Sequence, residues 1–243
     1  MKKLFICFAL LTGILFLGCK EEIEEINIDY GYDYFPTTIG SSLIYQVDST
    51  IYDDFQDTVF TISYEVKEEI IATTAGLEGN PTYTIAHYER LDPSMSWDNV
   101  TPRIWYMSVS DNAAERIEEN LRFIKMVFPV REGQQWAGNK HIDTNDERWA
   151  VFADWEYEYL SVDEPYALET LNFDTTVTVF QQDFSTLKDK VFGQEVYAKG
   201  IGLVYREFMD LELLASSLPP LDQIDWPERA NKGVHVVWRL KEF

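Results

Sequence analysis

Residues 58–70 read TVFTISYEVKEEI, with Phe60, Ile62, Tyr64 and Val66 at every second position. A half-buried strand needs this spacing, because successive side chains leave the backbone on opposite faces and aromatic or β-branched residues fit the pleated surface. The same period governs Val234, Val236, Trp238 and Leu240, Val177 with Val179, and Trp149, Val151, Ala153, Trp155, Tyr157 and Tyr159. Along the whole chain the pattern predicts nine strands, near 43–51, 58–70, 82–90, 103–109, 123–128, 149–160, 175–182, 196–208 and 233–242. Turns are expected at Gly79-Asn80-Pro81, Asp92-Pro93-Ser94, Gly138-Asn139 and Glu164-Pro165. Gly200-Ile201-Gly202 reads as a bulge or a close backbone approach. Helical signals are sparse: Asp111 as cap of a short helix through Ala114, Ile117 and Leu121, and a turn or two at 185–192 and 209–217. The resulting fold class is all-β or β-dominated, with antiparallel sheets in a sandwich or open barrel and few short helices. The proline-rich stretch 218–228 is expected to cross the surface.

The composition narrows the function. The chain has 243 residues, 20 Lys+Arg against 42 Asp+Glu, and 46% hydrophobic residues, enough for a packed core. A formal charge of -22 argues against a phosphate-backbone partner, which requires clustered cations, so nucleic acid is not expected. Two cysteines cannot staple a chain of this length.

The first residues carry an address. Lys2 and Lys3 precede the apolar run Leu4 to Leu17, which is shorter than the roughly 20 residues a bilayer-spanning helix needs. A cleaved signal over residues 1–18 is therefore expected. Phe16-Leu17-Gly18-Cys19 resembles the lipobox of bacterial lipoproteins, which implies acylation of Cys19. Lys20, Glu21 and Glu22 resemble the lipoprotein export signal of the Bacteroidota, which implies display on the outer face of the outer membrane. Residues 19–34 then form an acidic tether, and 35–243 a single β-rich domain. Cys7 leaves with the signal and Cys19 is acylated, so thiol nucleophiles and thiolate metal sites are excluded from the domain. The acidic body would be repelled by an anionic surface, so the membrane is held through lipid chains.

Phe35-Pro36-x-x-x-Gly40-x-x-Leu43 returns as Phe128-Pro129-x-x-x-Gly133-x-x-Trp136. This echo reads either as one turn used twice, the favoured reading because the flanks match poorly, or as two similar halves, 35–127 and 128–243. The segments FPTTIGSSLIYQVDSTIYDD (35–54), MVFPVREGQQWAGN (126–139), VYAKGIGLVYRE (196–207) and GVHVVWRLKEF (233–243) together resemble a family of Bacteroidota, flavobacterial-type surface lipoproteins. That family has no established activity, so the resemblance implies location and fold rather than mechanism.

Nothing in the sequence makes a positive case for catalysis. Ser185-x-x-Lys188 and Ser110-Asp111-Asn112 match two motifs of serine β-lactamases in the wrong order, with no K-T-G. His87, His141 and His235 stand alone, as surface or hydrogen-bonded histidines usually do. Asp143 to Glu147 is rich in oxygen ligands but lacks the Gly and distal Glu of a calcium loop, and reads as a solvated acidic turn. No cofactor or metal site is expected. Trp155, Tyr157 and Tyr159 lie on the densest aromatic strip and are the candidate ligand-binding residues. Alternation puts Trp149 beside them on a buried face. The leading expectation is a non-catalytic binding or interaction module for a glycan or protein. The alternatives are a carrier of an apolar or lipid ligand in a curved sheet, and a carboxylate-dependent hydrolase.

Overall fold

The computed structural model describes residues 28–76, 79–169, 171–214 and 224–243. Cys19, Lys20, Glu21 and Glu22 lie outside them. The strands are β1 (Ser42–Asp53), β2 (Thr58–Ala75), β3 (Pro81–Arg90), β4 (Arg103–Val109), β5 (Ala113–Glu118), β6 (Leu121–Val127), β7 (Gln135–Trp136), β8 (Tyr157–Leu168), β9 (Leu171–Ser185), β10 (Asp189–Ala198), β11 (Gly202–Glu212) and β12 (Lys232–Glu242).

All twelve belong to one antiparallel sheet ordered β6-β5-β4-β3-β2-β1-β12-β11-β10-β9-β8-β7, curled into a nearly closed barrel. Each half is a six-strand meander, and the halves join where β1 pairs with β12, Val47 opposite Trp238. The Phe-Pro segments precede β1 and β7, and Gly40 (φ +87°) and Gly133 (φ +74°) take the left-handed backbone that a reversal there needs.

The sheet ends, β6 and β7, meet through a short seam. Ile124 N–H donates to the Gly138 carbonyl (2.8 Å), and the Trp136 indole N–H donates to the Ile124 carbonyl (2.9 Å). The Tyr159 hydroxyl sits against β6, accepting from Val127 N–H (3.0 Å) and donating to its carbonyl (2.8 Å). Side chains thus satisfy edge groups that a strand ladder would otherwise pair.

Several expectations are corrected. Residues 111–121 form the β5–β6 hairpin rather than a helix, because Ala114, Arg116 and Glu118 alternate toward the interior. The stretches 185–192 and 209–217 are strand ends and hairpin as far as they are described, not helical turns. The predicted strand 196–208 is the end of β10, a turn at Lys199–Ile201 and the start of β11. The predicted strand 149–160 starts only at Tyr157, with Glu147–Phe152 a 3-10 helix capped by the Asp146 carboxylate on Arg148 N–H. Trp149 is consequently half-buried on that helix with Arg148 beside it, not in the core. Glu164-Pro165 lies within β8, where register shifts absorb the proline. Residues 29–34 pack onto the domain: Tyr34 is buried and donates to Asp163 (2.7 Å), and Lys199 bridges Asp29 and Asp163.

Candidate functional site

The interior of the barrel holds charge. Glu68, His87, Arg116, Glu118, Lys125 and Glu195 are all buried, with Arg206 nearly so. Strand alternation delivers most of them. Glu68 is in phase with Val66 and Ile70 on β2, Arg116 and Glu118 with Ala114 on β5, and Arg206 with Phe208 on β11. Lys125 arrives differently. Ala114 pairs with Met126 and Glu115 with Ile124, so Lys125 is the extra residue of a bulge in β6. Gln181 is the extra residue of a second bulge, since Gly193 pairs with Gln182 and Gln194 with Phe180. A bulge re-aims one side chain against the strand's alternation.

The charges form a continuous chain across the two halves. His87 Nδ1 lies 3.2 Å from Glu68, and Arg116 donates to the same carboxylate oxygen at 2.8 Å. Arg116 Nε is 3.1 Å from Glu118, which also receives Arg206 at 3.0 Å and has Lys125 at 3.6 Å. Lys125 donates to Glu195 (2.8 Å), Arg206 Nε lies 2.7 Å from it, and Tyr197 OH donates to its other oxygen (2.6 Å). Aromatic faces enclose the chain: His87 stacks on Trp105 at 3.8 Å, and Arg206 lies over Trp238 at 5.2 Å.

Glu68, Glu118 and Glu195 face Arg116, Lys125 and Arg206, so this chain of charges is balanced before His87 is counted. Burial opposes ionisation of Glu68, yet Arg116 and His87 hold its carboxyl down at about 2. Burial likewise opposes ionised Glu118 and Glu195, and Arg206 and Lys125 keep both below the ordinary carboxylate range. Burial works against a charged His87, but hydrogen bonds to Glu68 and Glu89 raise it. Burial lowers Lys125. Such a network holds together only because each charge has partners; removing one strands the rest in a low-dielectric interior.

Two cavities abut this chain. The smaller, about 60 Å³, is lined by Phe35, Leu43, Ile70, Ile85, Leu203 and the Glu68–Arg116 end. The larger, about 230 Å³, has Glu118, Lys125, Glu195 and Arg206 as its floor and six rings as its walls: Phe123, Phe152, Trp155, Tyr157, Phe208 and Trp238. Phe152, Phe208 and Val236 are half-buried, whereas Trp155, Tyr157 and Trp238 are buried. A third depression, about 430 Å³, lies over β4–β6 and is lined by serines and the Arg122–Glu115 pair.

The candidate residues Trp155, Tyr157 and Tyr159 all turn inward, at 5%, 1% and 0% exposure. Trp155 and Tyr157 line the larger cavity; Tyr159 serves the seam. Trp155 donates to the Val151 carbonyl (2.6 Å) and Tyr157 to Asn139 (2.9 Å), which fixes both rings. The matched serine motifs are turn chemistry: Ser110 Oγ accepts from Ala113 N–H, and the Ser185–Lys188 stretch turns on Thr186 Oγ1, which accepts from Asp189 N–H. Asp143 Oδ1 accepts from Asn145 N–H in the same manner. His235 pairs with Glu207 (2.9 Å), and His141 lies 3.8 Å from Glu115.

No family model matches this chain, and no curated protein does. Two solved structures resemble it weakly. One is named as an exported protein with a YmcC-like fold from Bacteroides fragilis, with 11% identity and TM-score 0.40 over 88% of this chain and 100% of that one. The other is named as a lipoprotein from Parabacteroides distasonis, with 9% identity and TM-score 0.33 over 86% and 98%. Likeness at these scores says nothing of what the barrel binds.

Proposed function

We propose that the chain is a lipid-anchored, surface-displayed binding protein whose barrel interior takes a small, largely apolar ligand. The observation that carries this reading is the 230 Å³ cavity, walled by six rings and closed below by charges that already satisfy one another. Ligand sites are concave and mostly apolar with a few placed polar groups, and this cavity has that composition. The inward turn of Trp155 and Tyr157 moves the candidate contact from an exposed glycan or protein platform to an open-mouthed, aromatic-walled pocket. A carrier in a curved sheet thus fits better than a surface docking strip.

A two-carboxylate hydrolase is disfavoured on chemical grounds. Its general acid must keep its proton near neutral pH, which requires a raised pKa. Glu118 and Glu195, the carboxylates of the cavity floor, are both lowered by the cations around them.

Indole tests the interior reading. Calorimetric titration of the full chain in detergent should give saturable single-site binding, abolished by Val236→Trp, which fills the cavity from its half-buried rim. Heat that does not saturate, or that survives Val236→Trp, contradicts it. Anchoring is tested separately. Cys19→Ala should yield protein without lipid, and Ala at Lys20, Glu21 and Glu22 should leave the protein acylated but shielded from protease added to intact cells.

A further inference from the structure

Resting on the interior-ligand reading, we infer that the ligand is a neutral, planar aromatic molecule whose carbonyl or amide oxygen accepts a hydrogen bond from the Gln181 side-chain amide. Gln181 lines the larger cavity and is 6% exposed, and its Nε2 is buried with no hydrogen-bond partner among the described residues. Buried donors are seldom left unpaired, because the lost water contacts are not replaced. The β9 bulge that aims Gln181 inward interrupts the β9–β10 register to do so. An acceptor on a bound ligand would satisfy this amide.

The charge state follows from the floor. Lys125 and Arg206 are committed to Glu118 and Glu195, so an arriving anion must compete with carboxylates already in place, and a cation must displace Lys125 or Arg206 from them. A neutral acceptor disturbs neither pair.

The shape follows from Gly193. A Cβ there would lie 2.7 Å from Trp155 Cζ3 and 3.0 Å from Gln181 Oε1. Glycine therefore lets the indole and the amide lie flat against the β10 backbone. Phe208 runs nearly parallel to Trp155, centroids 6.2 Å apart at 28°. A flat wall beside a hydrogen-bond donor suits a planar ring with an in-plane acceptor. The volume suits a bicyclic ring, since a dry cavity of about 150 Å³ already holds benzene.

The test compares indole-3-carboxamide, indole and indole-3-acetate by calorimetry on the full chain in detergent. The carboxamide should bind about tenfold more tightly than indole and more tightly than the anion, as expected where a buried donor would otherwise stay unpaired. Gln181→Leu should erase the preference, read as the ratio of carboxamide to indole affinity within that variant, with Gln181→Met as the second variant should leucine unsettle the fold. Equal binding of carboxamide and indole, a preference that survives both variants, or tighter binding of the acetate overturns this inference and leaves the interior-ligand reading standing. Absence of binding by all three takes both down.

Discussion

The two six-strand halves use the same meander and end differently. The first closes on β6, a seven-residue strand paired along its length with β5. The second closes on β7, two residues long, after which the chain leaves the sheet and returns only at Tyr157. Between them lie the 3-10 helix Glu147–Phe152 and Trp155, and there the interior opens into the larger cavity. The first half supplies Glu118 and Lys125 to the floor; the second supplies Glu195, Arg206, Gln181 and most of the rings. The larger of the two interior cavities thus lies beside the half that a loop completes.

Within the second half, the cavity wall and the return segment differ most visibly at the rings. Trp155→Ala empties a buried indole position and should cost about 3–5 kcal/mol in denaturant unfolding. Trp149→Ala, half-buried on the 3-10 helix, should cost under about 1 kcal/mol. Equal costs would mean that the return segment, not the cavity wall, carries the stability.

The floor comes next. Glu195→Gln leaves Lys125 and Arg206 buried with one fewer counter-charge, and a cost of about 3 kcal/mol is expected. Asp146→Asn at the exposed Arg148 pair should leave stability nearly unchanged, because water screens the pair and Asn still caps the 3-10 helix. Similar values from urea melts would show that the inter-half network is idle.

Acidity probes the end of the network that lies within the first half. Glu68 is held at about 2 against an ordinary 4.5, so its contribution is complete above 4.5 and is lost as pH falls toward 2. His87 is raised above 6.5, so its contribution is complete below 6.5 and is lost as pH rises through its folded value. Melting temperature should therefore fall on both sides, with Glu68→Gln flattening the acid limb. His87→Gln should flatten the alkaline limb. An acid limb unchanged in Glu68→Gln would show that this carboxylate has no part in acid stability.

The smallest effect is at the seam. Trp136→Phe deletes the indole donor to the Ile124 carbonyl while keeping a ring, and about 1 kcal/mol is expected in the same melts.

Much of the sheet was legible because its strands alternate, as Phe60 to Val66 and Val234 to Leu240 do. The network was harder to read for the same reason: Glu68 and Arg206 occupy apolar phases in strands whose neighbours looked like core, and a charge there reads as solvated until its partner strand is known. Arg116 and Glu118 were further hidden by a helical spacing through Ala114, Ile117 and Leu121, which β-pairing with β6 overrode. Lys125 and Gln181 point inward because of bulges, and a bulge is a property of two paired strands. Trp155 and Tyr157 were found as an aromatic strip, but alternation carried back to Trp149 ignored the Asp146 cap that starts the 3-10 helix.

The most direct measurement is an anomalous difference map from a crystal of the protein soaked in 5-bromoindole. A bromine peak is expected inside the larger cavity, against Trp155 and Phe208 and above the Lys125–Glu195 pair. Bromine bound only on the outer surface, with that cavity filled by water, would contradict an interior binding site.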